Sequence, residues 1–206
     1  MSPGKPVNVQ VSFELEVRDK TGKLLKKVSG ASRSFVSIFL QWLLTGLVST
    51  PYTFKDRGGT DREVYTHIPA QSGVDVEFIN MDVKGPVDDV NYGILVGYGT
   101  TSPAPGDYDL ESPAPNSELK AYETTLEEYG VSGNETYATF KRVFENVSGA
   151  DKTINELGLA AKYYRKVGTD ERGPWYFLLI RDVLSTGQTV PAGATVTVRY
   201  KIKTVT

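Results

Sequence analysis

The chain has no cysteine among its 206 residues, which removes disulfides, zinc–thiolate centres, iron–sulfur clusters and thiol nucleophiles together. Histidine is nearly absent too, with one in the whole chain. A histidine-based triad would have to use His67, yet Tyr65-Thr66-His67-Ile68-Pro69 reads as a strand end meeting a turn, the setting of an ordinary, partly exposed histidine. No excess of positive charge is present: 23 basic residues face 25 acidic ones, for a net charge of -2, so nothing global draws the chain to nucleic acid.

Long apolar runs are missing as well. The longest, residues 35–48, is broken by Ser37, Gln41 and Thr45 and falls short of the roughly 20 residues a membrane span needs, so no membrane partner is expected. The N-terminal MSPGKPVNVQ lacks a basic segment followed by an apolar one, and no secretory signal is expected. Without a secretory route, the sequons at Asn134 and Asn146 are expected to be chance matches.

What the chain does contain is enough apolar material, 39% of residues, for a core of ordinary size. Residues 7–18 are apolar at every odd position and polar at every even one, the period-two pattern of a strand with one buried face. Asp19-Lys20-Thr21-Gly22 then turns the chain toward Lys23–Val28, which predicts a hairpin over 7–28. Thr195–Lys203 alternates equally cleanly after the turn Pro191-Ala192-Gly193, so both ends of the chain are read as strands.

Further strands are expected at 74–79, 92–96, 121–123, 137–144, 153–161 and 175–180, the last as a central strand because it is apolar without interruption. Between the first hairpin and these strands, Phe35, Phe39, Leu43 and Leu47 recur every four residues behind Ser32 or Ser34, predicting one amphipathic helix near 33–48. The expected architecture is a mainly β, single-domain antiparallel β-sandwich over 1–206, jelly-roll or immunoglobulin-like in topology. It carries a long excursion at 52–73, as a loop or projecting hairpin, and a Pro-rich loop at 100–118.

The loop region raises the main chemical question. Gly97-Tyr98-Gly99 would suit a phosphate cradle only if it opened a helix, and Pro103 and Pro105 follow instead. The two glycines are therefore expected to supply backbone freedom in a turn. Asp107, Asp109 and Glu111 alternate and could converge on calcium, but they lack the glycine and the bidentate glutamate of an EF-hand loop, so a solvated acidic loop is expected. No pair of acids is singled out for glycoside hydrolysis, whether among Glu127, Glu128 and Glu156 or elsewhere. Glu156 interrupts an apolar strand and needs a partner; Arg181, in the adjacent strand, is expected to form a structural ion pair with it. No cofactor, metal or catalytic residue is assigned.

Three segments resemble structural proteins of tailed bacteriophages and related viruses. They are Gly93-Ile94-Leu95-Val96-Gly97-Tyr98-Gly99-Thr100-Thr101 with the Pro/Asp segment after it, Thr153-Ile154-Asn155-Glu156-Leu157-Gly158-Leu159, and Phe177-Leu178-Leu179-Ile180-Arg181-Asp182-Val183-Leu184 leading to the last strand. Their order and spacing are similar to the VGTGTT, INEVGL and LLARDVL stretches of that family over residues 90–206, with a departure at Tyr98. The resemblance implies a non-enzymatic virion component made in the host cytoplasm: a minor capsid, decoration or tail-associated protein that forms homo-oligomers and contacts other capsid or tail proteins.

Contact residues are then expected on the helix, the excursion and the Pro-rich loop, with Phe35, Phe39, Trp42, Tyr98 and Tyr108 as candidates. The alternative is a carbohydrate- or receptor-binding β-sandwich module recognising a host-surface glycan, with Tyr52, Tyr65, Tyr92, Tyr98 or Tyr108 as stacking platforms.

Overall fold

The computed structural model describes residues 8–32, 34–41, 52–64, 76–167 and 169–205. The two alternating ends of the chain find each other: β1 (Asn8–Arg18) and β12 (Thr195–Val205) pair antiparallel from Asn8↔Val205 to Arg18↔Thr195. Their period-two pattern turns Val11, Leu15 and Val17, with Val196, Val198 and Tyr200, into the core. β2 (Leu24–Ser32) closes the expected hairpin. One Asp19 carboxylate oxygen holds the turn by accepting from the backbone N–H groups of Thr21 and Lys23 at 2.8 and 3.0 Å. β9 (Glu135–Asn146) lies against the other side of β12, and β7 (Leu119–Ala121) and β8 (Thr125–Ser132) pair with β9, giving a six-stranded antiparallel sheet.

The facing sheet is built on two long strands, β10 (Lys152–Val167) and β11 (Asp170–Val190), with β5 (Val76–Asp82) and β6 (Gly93–Gly97) sharing the other edge of β10. A third piece, the hairpin of β3 (Tyr52–Lys55) and β4 (Asp61–Val64), forms the described part of the 52–73 excursion. Phe54 packs edge-on to Phe177 with ring centroids 5.7 Å apart, so this hairpin lies on the sandwich instead of projecting from it. One buried apolar cluster runs through both sheets, from Leu15 and Val198 to Ile94, Leu159 and Ile180. The architecture is a mainly β antiparallel sandwich.

Two expectations change here. The apolar run 175–180 is buried on both faces from Phe177 onward, yet β11 is not central: among the described residues it pairs along its length only with β10. Its other edge is covered by residues 34–36, where Val36 N–H donates to Leu179 O, Arg181 N–H donates to Ser34 O, and Phe35 bridges Ile180. This cover satisfies the edge backbone as a neighbouring strand would, while Phe54 of the β3–β4 hairpin packs on Phe177. Of the expected helix, residues 37–41 are helical; 42–48, including Trp42, lie outside the described residues.

The six-stranded sheet also carries a buried cation. Arg142 on β9 is fully buried and forms no ion pair among the described residues. Its five N–H donors all find main-chain carbonyls: Nε on Tyr122, Nη1 on Tyr92 and Ile94 at 3.0 and 2.9 Å, and Nη2 on Pro86 and Asp89. Burial pushes its pKa down to about 10, still charged at neutral pH. The 86–94 segment and the β7–β8 connection are therefore pinned to one guanidinium. Lysine has three donors, so Arg142→Lys should leave at least two buried carbonyls unmet. We expect a loss of about 2 to 5 kcal/mol and a fall in Tm of roughly 5 to 15 °C by calorimetry; a loss below about 1 kcal/mol would show that the carbonyls are satisfied some other way.

Candidate functional site

The Pro-rich loop, the acids and the glycine turn meet at one buried carboxylate. Glu156 on β10 is inaccessible to solvent, and it accepts from three main-chain N–H groups: Gly99 at 3.0 Å, Glu111 at 3.1 Å and Ser112 at 2.7 Å. Arg181 on β11 donates Nε to the same carboxylate at 3.0 Å, so the expected ion pair is present. The bulge between Ile154 and Glu156 in the β10–β11 register leaves Asn155 free to donate to Tyr98 O at 2.8 Å, a second tie from β10 to the turn.

Arg181 extends the network outward. Nη1 donates to Asp107 at 2.8 Å and Nη2 to Thr101 O at 3.1 Å. Burial acts to lower its pKa, but the hydrogen bonds to Asp107 and Glu156 outweigh it and the net shift is upward. Glu111 accepts from Thr101 Oγ1 and from the N–H groups of Thr100 and Thr101, and these bonds hold its carboxyl below the ordinary carboxylate value. A depressed carboxylate favours the fold at pH values above its unfolded pKa, and that contribution is lost as pH falls through the lower, folded value.

The glycines have a different purpose from the one expected. Neither Gly97 nor Gly99 is among the positive-φ residues, so backbone freedom is not their role. A β-carbon on Gly97 would lie 2.6 Å from a Glu156 carboxylate oxygen, and one on Gly99 would lie 2.7 Å from the same atom and 2.5 Å from Glu111 Cβ. They are the residues that let the main chain come down onto a buried carboxylate.

Two of the three acids converge, on a cation: Asp107 and Glu111 lie 2.8 and 3.6 Å from Arg181, Glu111 also capping the Thr100–Thr101 backbone, while Asp109 accepts from Arg57 Nε at 2.6 Å. Among the described residues, no group of three or more His, Asp or Glu side chains is placed to hold a metal.

The loop in turn gathers its neighbours. Arg57, at the tip of the β3–β4 hairpin, also donates to Val90 O and Asn91 O, and the Tyr108 ring lies 3.4 Å from where a β-carbon on Gly59 would sit. Ser37 N–H, opening the helical turn, donates to Pro105 O at 2.9 Å. The helical segment, the hairpin tip and the Pro-rich loop, three separate elements in sequence, thus form one continuous surface.

Phe35 and Phe39 pack together at 4.3 Å and lean on the core, leaving Leu40 exposed beside them. Tyr98 is half-buried and its hydroxyl donates to Glu118 at 2.7 Å; burial first, then that carboxylate, pushes its pKa up. Tyr108 is 40% exposed. Trp42, Tyr65 and His67 lie outside the described residues. Of the other proposed platforms, Tyr52 packs on the core and Tyr92 is buried. Sequence reasoning missed Arg142 and Arg57, whose partners are backbone carbonyls and a loop acid that only the folded chain brings near.

No known protein family, characterised protein or solved structure compared with the chain matches it.

An isolated buried ion pair can often be replaced by two apolar residues at little cost. Here the carboxylate also satisfies three N–H groups, so Glu156→Leu with Arg181→Leu should remain destabilised by about 3 kcal/mol or more, each orphaned donor contributing about 1 to 3 kcal/mol. Urea unfolding measures this, and stability equal to the parent chain would refute the three-donor role.

Proposed function

We propose that this chain is a non-enzymatic structural component of a virus particle, a minor capsid, decoration or tail-associated protein that acts by self-assembly and by contacts with other particle proteins. The resemblance of residues 90–206 to such proteins is one support. The observation that carries the reading is that two edge strands each expose several large apolar side chains: Leu24 and Leu25 on β2, and Leu126, Tyr129 and Val131 on β8, the last two at 69% and 70%. These are the two margins of one sheet. Apolar residues on bare strand margins are an aggregation hazard in a protein that works alone and an interface in one that assembles.

The loop surface suits the same work. Its elements are tied down by Glu156, Arg181 and Arg57, so a partner would meet a preorganised surface and ordering it would cost little. Tyr108 and Leu40 are its exposed apolar side chains.

A second reading has one specific observation behind it. Tyr92, Tyr164, Tyr176, Lys162, Asp89, Pro86 and Pro174 line an open groove of about 550 Å³, in which Tyr176 stacks on Tyr92 at 5.8 Å. Lys162 Nζ sits 4.8 Å above the Tyr92 ring. Aromatic faces with one cation and one acid at the rim can hold a sugar ring. Under this reading the groove combines Tyr92, one of the tyrosines singled out from sequence, with Tyr164 and Tyr176, which were not.

Mass spectrometry of density-gradient-purified particles from the source of the gene should find the chain at a fixed copy ratio to the major capsid protein, and portal, capsid or tail genes should flank its gene. Recovery only from the soluble fraction would overturn the virion reading.

A further inference from the structure

We infer that the six-stranded sheet continues from one copy of this chain into the next, with β2 of one copy docked in parallel beside β8 of its neighbour. The inference rests on the assembly reading above and names the strands and the partner, a second copy of the chain.

Among the described residues, β2 pairs only with β1, and β8 only with β9. Each therefore presents one row of main-chain N–H and C=O groups to whatever lies beside it. The two margins differ in charge. β2, LLKKVSGAS, has two lysines and no acid, whereas β8, TLEEYGVS, has two glutamates and no base. Lysines on a margin normally repel another strand, and an acidic margin is the one neighbour that would relieve them.

Charges on the outer face point the same way. Lys27 on β2 binds Glu14 and Glu16 on β1, Arg199 on β12 binds Glu14, Glu16 and Glu127, and Lys141 on β9 also binds Glu127. This ladder starts with a cation at β2 and ends with an anion at β8, so a head-to-tail copy continues it. Glu128 on β8, opposite Thr139, shares this outer face with Lys27, opposite Glu16, whereas Lys26, opposite the buried Val17, points to the inner face.

Direction follows from topology. Four successive antiparallel pairings, β2 with β1, β1 with β12, β12 with β9, and β9 with β8, leave β2 and β8 running the same way. A neighbour that keeps its inner face on the same side therefore brings its β2 in parallel to β8. A two-fold pairing of like margins would instead set Lys26 and Lys27 against their own copies, or Glu127 and Glu128 against theirs, and like charges directly opposite are destabilising. The contact is thus head-to-tail, closing to a ring or running open according to the rotation per copy.

The test uses the full chain in a sedimentation-velocity concentration series, with Lys27→Glu and Glu128→Lys made separately and together. Lys27 and Glu128 are exposed and share the outer face, and circular dichroism verifies that each variant folds. The parent should self-associate. Each single variant should weaken association about tenfold or more, while the double variant, and an equimolar mixture of the two singles, should return to within about threefold of the parent. A parent that stays monomeric at its solubility limit overturns the inference, as do single variants that associate like the parent or a mixture that fails to recover.

Because the chain lacks cysteine, Val28→Cys and Tyr129→Cys, neighbours in the register that opposes Lys27 to Glu128, add a second measurement. Mixed under oxidation, the two should cross-link to each other in preference to themselves; self-linked dimers alone would point to a two-fold pairing and overturn the inference. Particle association without margin-dependent self-association would sink this contact and leave the virion reading intact. Margin-dependent association with no presence in particles would do the reverse.

Discussion

A single carboxylate, that of Glu156, sets the geometry of one whole end of the molecule. It sits without solvent between the glycine turn and β11, where three N–H groups and a guanidinium converge on it. A buried charge is tolerated only when nearly every lone pair is used, and here the groups that use them come from residues 99, 111, 112 and 181. The loop between 99 and 112 is therefore closed at both ends on one side chain. Everything the loop then holds, including the β3–β4 hairpin through Arg57 and the helical turn through Ser37, takes its position from that closure.

Arg142 does the equivalent work with the opposite sign at another point of the sandwich. It forms no ion pair among the described residues and instead draws five carbonyls together from two stretches of backbone, residues 86–94 and Tyr122. Both devices convert irregular chain into fixed surface without added secondary structure. A sandwich whose connections are held this way has tied loops, and both margins of its six-stranded sheet carry exposed apolar residues. This division between tied loops and bare margins is the physical basis for reading the chain as a part that assembles.

Much of the scaffold was legible in the sequence because alternation is a strong, local signal. β1, β12 and the start of β10 each alternate over enough residues to identify the buried face. The Glu156–Arg181 pair was legible too, since a carboxylate inside an apolar strand requires a cation and Arg181 sits in the neighbouring strand. β8 was not: Glu127, Glu128 and Gly130 weaken its strand character, and its pairing with β9 is a non-local fact. Arg142 was hidden by its neighbour, because Lys141-Arg142 offers no local clue to which cation turns inward. Gly97 and Gly99 were read as sources of turn freedom when their real constraint is the distance to a side chain nearly sixty residues away.

Amide hydrogen exchange at the loop closure tests the role of Glu156 most directly. If the carboxylate holds the loop, the amides of Gly99, Glu111 and Ser112 should exchange as slowly as those of Leu157 and Leu159 in β10, opening only with the sandwich as a whole. Exchange of those three amides at the rates of an open surface loop, while β10 stays protected, would show that the loop moves independently of Glu156 and that the surface built on it is not preorganised.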